Sequence, residues 1–89
     1  MSDKVEKKRL AILKILNEGG RPLGSQELAA RLLAGGHDLS ERTVRFHLQA
    51  LDAAGLTENL GKQGRRITEL GARELSSARA FEKVGYLAA

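Results

Sequence analysis

Apolar residues recur at helical spacing in four blocks of the chain, and glycines stand at most of the breaks between them. In residues 3–18, Val5, Leu10, Ile12, Leu13, Ile15 and Leu16 spread over a wide helical face while Lys7 and Lys14 share the opposite side, which predicts a first helix. Gly19-Gly20 ends it, because a helix C-terminus commonly takes a residue at positive φ. In "RPL" the proline disfavours helix for Arg21, so residues 21–23 should be extended. Ser25 is a good N-cap for a second helix over residues 26–33 or 34, with Leu28, Leu32 and Leu33 inward, and Gly35-Gly36 closes it.

Ser40 caps a third helix over residues 41–54, which Gly55 stops. At 100° per residue, Val44, Leu48 and Leu51 cluster within ~60° and mark its core stripe. Arg42, Arg45, Phe46, Gln49 and Ala53 fall on the far side, with Phe46 ~160° from the stripe. An aromatic ring among arginines on an outward face is unusual for a small soluble domain. It either touches a partner, or packs under a neighbouring element and braces the arginines.

Residues 56–60 and 65–68 have the alternation of two short strands, with "GKQG" supplying glycines for a tight turn between them. Lys62, Arg65 and Arg66 sit at the tip and on the return strand, with no acid between Gly61 and Thr68. Thr68 can cap a fourth helix over residues 69–80 or 83, with Leu70, Leu75, Ala78 and Phe81 as its apolar positions. Val84, Tyr86 and Leu87 then alternate like the start of a strand, so residues 84–89 are expected to open a following domain.

Helix, short strand, helix, turn, helix, two-stranded hairpin is the order of a winged helix-turn-helix. The expected fold is mainly α with a small β-hairpin: a three-helix core, a short β-strand and wing, and a C-terminal helix. In a helix-turn-helix the second helix of the pair enters the major groove, N-terminal half first. That helix here carries Arg42, Arg45 and Gln49, placed for base edges or flanking phosphates, and Phe46, whose ring can rest on a thymine methyl or a sugar edge. Ser40, Thr43 and the free N–H groups at the helix start suit a phosphate. Lys62, Arg65 and Arg66 of the wing would grip the adjacent backbone or enter the minor groove.

Composition narrows this picture. The 89 residues make one domain whose 3% aromatic content leaves the core to Leu, Ile, Val and Ala. The formal charge of +4 favours an anionic partner, and the absence of cysteine excludes disulfides and thiolate chemistry. Beyond His37 and His47 there is no further histidine, and no carboxylate stands at a spacing that builds a catalytic or metal site. His37-Asp38 beside the double glycine reads as a loop before a helix cap. Neither an enzyme nor a cofactor is expected. No apolar run approaches the ~20 residues of a membrane span, and "MSDKVEKKRL" lacks a signal-peptide core, so a cytoplasmic location is expected.

The stretches "LSERTVRFHLQALDAAGLT" and "GRRITELGARELS" resemble the N-terminal winged-helix domain of nitrogen-regulation repressors of the NrpR type, and a related domain opens some ribonuclease R proteins. The resemblance covers nearly the whole chain, and "VGYLAA" is similar to the entry into the regulatory domain of such repressors. It implies a transcriptional repressor that binds a palindromic operator in double-stranded DNA as a homodimer. The 2-oxoglutarate response of that family belongs to later domains, so an effector would bind outside this chain. Residues 1–68 would form the DNA-binding domain and 69–83 a helix for packing or dimerisation. Leu10, Ile15, Leu75 and Phe81 are the surplus apolar positions for the latter. The alternatives are an RNA-binding module, which so few aromatic rings disfavour, and a protein-interaction winged helix with merely solvated basic faces.

Overall fold

The first apolar block folds as α1, Asp3–Gly19, in a computed structural model that describes residues 3–80. Its Ile12, Leu13 and Leu16 are buried, and Gly20 at φ 69° turns the chain out of the helix. The extended link then lays Leu23 against Arg65: the Leu23 N–H donates to the Arg65 carbonyl at 2.9 Å and the Arg65 N–H to the Leu23 carbonyl at 2.8 Å. Helix α2, Ser25–Ala34, and α3, Glu41–Ala53, follow and pack on each other and on α1. Strands β1, Thr57–Asn59, and β2, Arg65–Ile67, pair antiparallel with Glu58 opposite Arg66, around a single 3-10 turn at Gly61–Gln63. Helix α4, Glu69–Ala80, returns against α1 and β2.

The buried apolar side chains are all aliphatic. Leu28 and Leu32 of α2, Val44, Leu48 and Leu51 of α3, Leu23 and Leu75 close over Ile12, Leu13 and Leu16 into one core. Thr68 caps α4 as its position suggests, its hydroxyl accepting from the Gly71 N–H at 3.0 Å and donating to the Gly55 carbonyl at 2.7 Å.

Several local expectations change. Gly24, not Ser25, is the N-cap of α2, and the Ser25 hydroxyl instead donates to Glu41 Oε2 at 2.9 Å, tying α2 to the start of α3. Leu33 is 59% exposed, because it lies ~140° around the helix from Leu28 and the Leu28–Leu32 pair already fills the inward face. Leu70 is also largely exposed. Both strands are shorter than their alternating stretches, since β1 and β2 pair over three residues only. Of the surplus apolar positions, Leu75 is in the core and Leu10 and Ile15 pack against it, so these side chains serve the fold first. Phe81 and residues 84–89 lie outside the described residues.

Gly64 closes the wing's turn at φ 101°, and a methyl group there would run into the Leu23 carbonyl and come within 2.7 Å of the Gly24 nitrogen. Both the backbone angle and the strand-to-link approach therefore demand glycine. Gly20 also has positive φ but faces open space. Gly20→Ala is expected to cost about 1–2 kcal/mol, the left-handed penalty alone. Gly64→Ala should cost clearly more, read as the larger fall in the urea midpoint at equal m-value.

Candidate nucleic-acid interface

The position of α3 is set by its two faces. Val44 and Leu48 are fully buried and Leu51 nearly so, which turns Arg42, Arg45, Phe46, Gln49 and Ala53 to solvent. Phe46 is 63% exposed, so it is not a core residue, and its ring approaches the His47 ring edge-on at 5.7 Å. Ser40 caps the helix, its Oγ accepting from the Thr43 N–H at 3.1 Å and donating to Thr43 Oγ1 at 3.0 Å. Both hydroxyls thus lie together at the positive end of α3.

The cations of this region differ in how they are held. Arg45 pairs with Glu41 one turn earlier at 3.2 Å, and Arg66 pairs with its cross-strand partner Glu58 at 2.6 Å; all four side chains are largely exposed. Arg65 does not join them. Its side chain is only 15% exposed and donates to Asp52 Oδ2 from Nε at 3.2 Å and Nη2 at 2.9 Å. Asp52 Oδ1 also accepts from the buried Thr57 hydroxyl at 2.6 Å. One carboxylate near the end of α3 thereby holds both strands of the wing. Arg42 and Lys62 have no carboxylate partner among the described residues, and both are exposed.

The buried His47 is the residue whose role the sequence pattern leaves unassigned. It stands next to the core stripe of α3 and its Nδ1 accepts from Arg9 Nε of α1 at 3.1 Å, which places its own proton on Nε2. Burial, and then the charges of Arg9 and Lys8, push its pKa below the ordinary histidine value, so the ring is held neutral. A helical wheel hints at its burial, since it lies ~40° from Leu51; its partner is 38 residues away and leaves no local signal. Asp52 is likewise invisible as a latch until the wing folds back on it. No three His, Asp or Glu side chains converge to hold a metal ion among the described residues, and no described helix is long and apolar enough to cross a membrane.

Among the described residues, three packed helices, a link bridged to the return strand, a two-stranded wing and a closing helix define a winged helix-turn-helix domain. The chain belongs to the ribonuclease R winged-helix domain family, whose sequence profile matches residues 10–75. Within that family it is similar to regulators of the NrpR type. It is 34% identical over 87 residues to the global nitrogen regulator NrpRI of Methanosarcina mazei, covering 98% of this chain and 27% of that protein. To the global nitrogen regulator NrpR of Methanococcus maripaludis it is 45% identical over 74 residues, or 83% of this chain and 14% of the relative. To the one of Methanocaldococcus jannaschii it is 38% identical over 81 residues, or 91% and 15%. The chain thus spans between 14% and 27% of the length of these relatives, which are named as regulators and not as enzymes.

Asp52→Ala strands the Arg65 guanidinium and the buried Thr57 hydroxyl without an acceptor. The variant should lose about 1.5–3 kcal/mol in urea unfolding, the scale of a hydrogen bond to a charged group. His47 supplies a pH test. Its folded pKa lies below the unfolded value of 6.5, so its contribution to stability is complete above pH 6.5 and is lost as the pH falls through the lowered value. Urea midpoints of the wild type should drop between pH 7.5 and 5. His47→Asn, which keeps an acceptor but takes no proton, should flatten that drop.

Proposed function

We propose that this domain binds double-stranded DNA sequence-specifically, with α3 in the major groove and the wing on the backbone or in the minor groove. The observation that carries this is the exposed face of α3: Arg42, Phe46 and Gln49 point outward from a helix whose opposite face is fully seated in the core. A groove ~12 Å wide accepts one helix, and a rigid mount keeps its side chains in register with the base edges. Arg42 and Gln49 read bases, and the Phe46 ring rests on a thymine methyl or sugar edge between them. Ser40 and Thr43 at the helix start take a phosphate.

Arg45 and Arg66 exchange their carboxylates for phosphates. Exposed ion pairs of this kind are worth only about 0–1 kcal/mol, so the exchange costs little. Lys62 joins Arg66 on the backbone from the wing tip. Arg65 has a different part: bound to Asp52, it sets the wing's angle to α3 and leaves the phosphates to its neighbours. The relatives' regulator names support a transcriptional role for this reading. A repressor in the cytoplasm, acting as a homodimer on a palindromic operator, is the form we propose.

Selection of bound duplexes from a random pool tests this directly, and an enriched palindrome is the expected result. Tighter binding to single-stranded RNA than to any duplex at equal salt would replace it with an RNA-binding module. Absence of binding to either at low salt would leave a protein-interaction domain. On the selected duplex, Arg42→Ala and Gln49→Ala should each relax base preference by about 1–3 kcal/mol at one position. Lys62→Ala with Arg66→Ala should weaken all duplexes alike and flatten the salt slope by about 1.8, or 0.9 for each lost phosphate contact.

A further inference from the structure

A second cationic group lies beside α3, on the flank away from the wing. Asp52, which holds the wing, and His47 stand ~140° apart around the helix, with the core stripe between them. On the His47 flank the cleft between α1 and α3 is lined by Arg9, Ala50 and Ala54, together with Glu6 and Glu74. Arg9 spends its Nε–H on His47, and His47 in turn meets the Phe46 ring. A line of three side chains therefore joins α1 to the exposed face of the third helix. Lys8 adds a second charge close enough to act on His47.

Arg9 shares with Arg42 a feature that the other arginines around α3 lack. Arg45, Arg65 and Arg66 are all paired with carboxylates, whereas neither Arg9 nor Lys8 forms an ion pair with a described carboxylate. A guanidinium carries five N–H groups, so four on the Nη nitrogens remain after the bond to His47. A helix lying in the major groove has a phosphate backbone on each side of it. If the wing takes one backbone, the other lies toward the flank of α3 on which Arg9 meets His47.

We infer that Arg9, with Lys8 beside it, is a second backbone-phosphate contact on the far side of α3 from the wing, and that His47 is its positioning residue. The inference rests on the DNA-binding reading and adds a site to it. Neutral His47 serves because it offers Nδ1 as an acceptor: it orients the guanidinium without competing for the phosphate. The contact is blind to sequence, since a phosphate carries no base information.

The test is fluorescence anisotropy of the full 89-residue chain on the selected duplex and on an unrelated one, over a range of salt. Arg9→Ala should weaken both duplexes by the same factor and reduce the log–log salt slope by about 0.9. That slope change corresponds to roughly eightfold in affinity at 0.1 M salt when extrapolated from 1 M. Lys8→Ala, which removes no hydrogen bond of the fold, should act in the same direction and serves if Arg9→Ala unfolds. His47→Leu should move the slope toward the Arg9→Ala value, and His47→Asn, which keeps an acceptor, should stay nearer the wild type. A wild type that binds duplex DNA while folded Arg9→Ala and Lys8→Ala keep its salt slope would overturn this contact and leave the wing and α3 reading intact. A wild type that binds no duplex overturns both.

Discussion

The seating of one face of α3 in an aliphatic core is the constraint from which everything else in this domain follows. Val44, Leu48 and Leu51 are each essentially removed from water, against Leu28 and Leu32 of α2 and the stripe of α1. Burying such side chains is worth about 1.5–3 kcal/mol each, so the three together approach the entire net stability of a small domain. A helix held that firmly cannot rotate about its axis without losing most of that gain. Its other face is therefore presented in one orientation, and Arg42, Phe46 and Gln49 inherit it.

The wing depends on the same helix. Three-residue strands cannot hold a hairpin by themselves. Here the hairpin is held from two sides: Leu23 pairs with the backbone of Arg65, and the side chain of Arg65 returns to Asp52 of α3. The Thr57 hydroxyl adds β1 to the same carboxylate, and Gly64 allows the link to lie close enough for the backbone pair. The wing is thus tied to the third helix through both of its strands. In this region an arginine can serve the fold or a partner, and its burial decides which. Arg65 serves the fold, while Arg45 and Arg66 rest on exposed carboxylates that a phosphate can replace.

Much of this was legible in the chain. The four helices, the Ser40 and Thr68 caps, the glycine breaks and the outward position of Phe46 all rest on residues no more than about four apart, where geometry is set by the helix repeat itself. Errors of local reading were small and had local causes. Ser25 has the chemistry of a cap but turns its hydroxyl to Glu41, and Leu33 is an apolar residue at a position the core does not reach.

The sequence by itself determined the order of elements, which face of each helix is apolar, and the arginines on the outward face of the third helix and on the wing. Only the tertiary structure decided which of the charged residues are free. Asp52 meets Arg65 across 13 residues and Arg9 meets His47 across 38, and no periodicity relates such positions. Periodicity reports the angle at which a side chain leaves its own helix. Whether that side chain then finds a carboxylate, an imidazole or water depends on the packing of other elements around it, and that is settled only when the core closes.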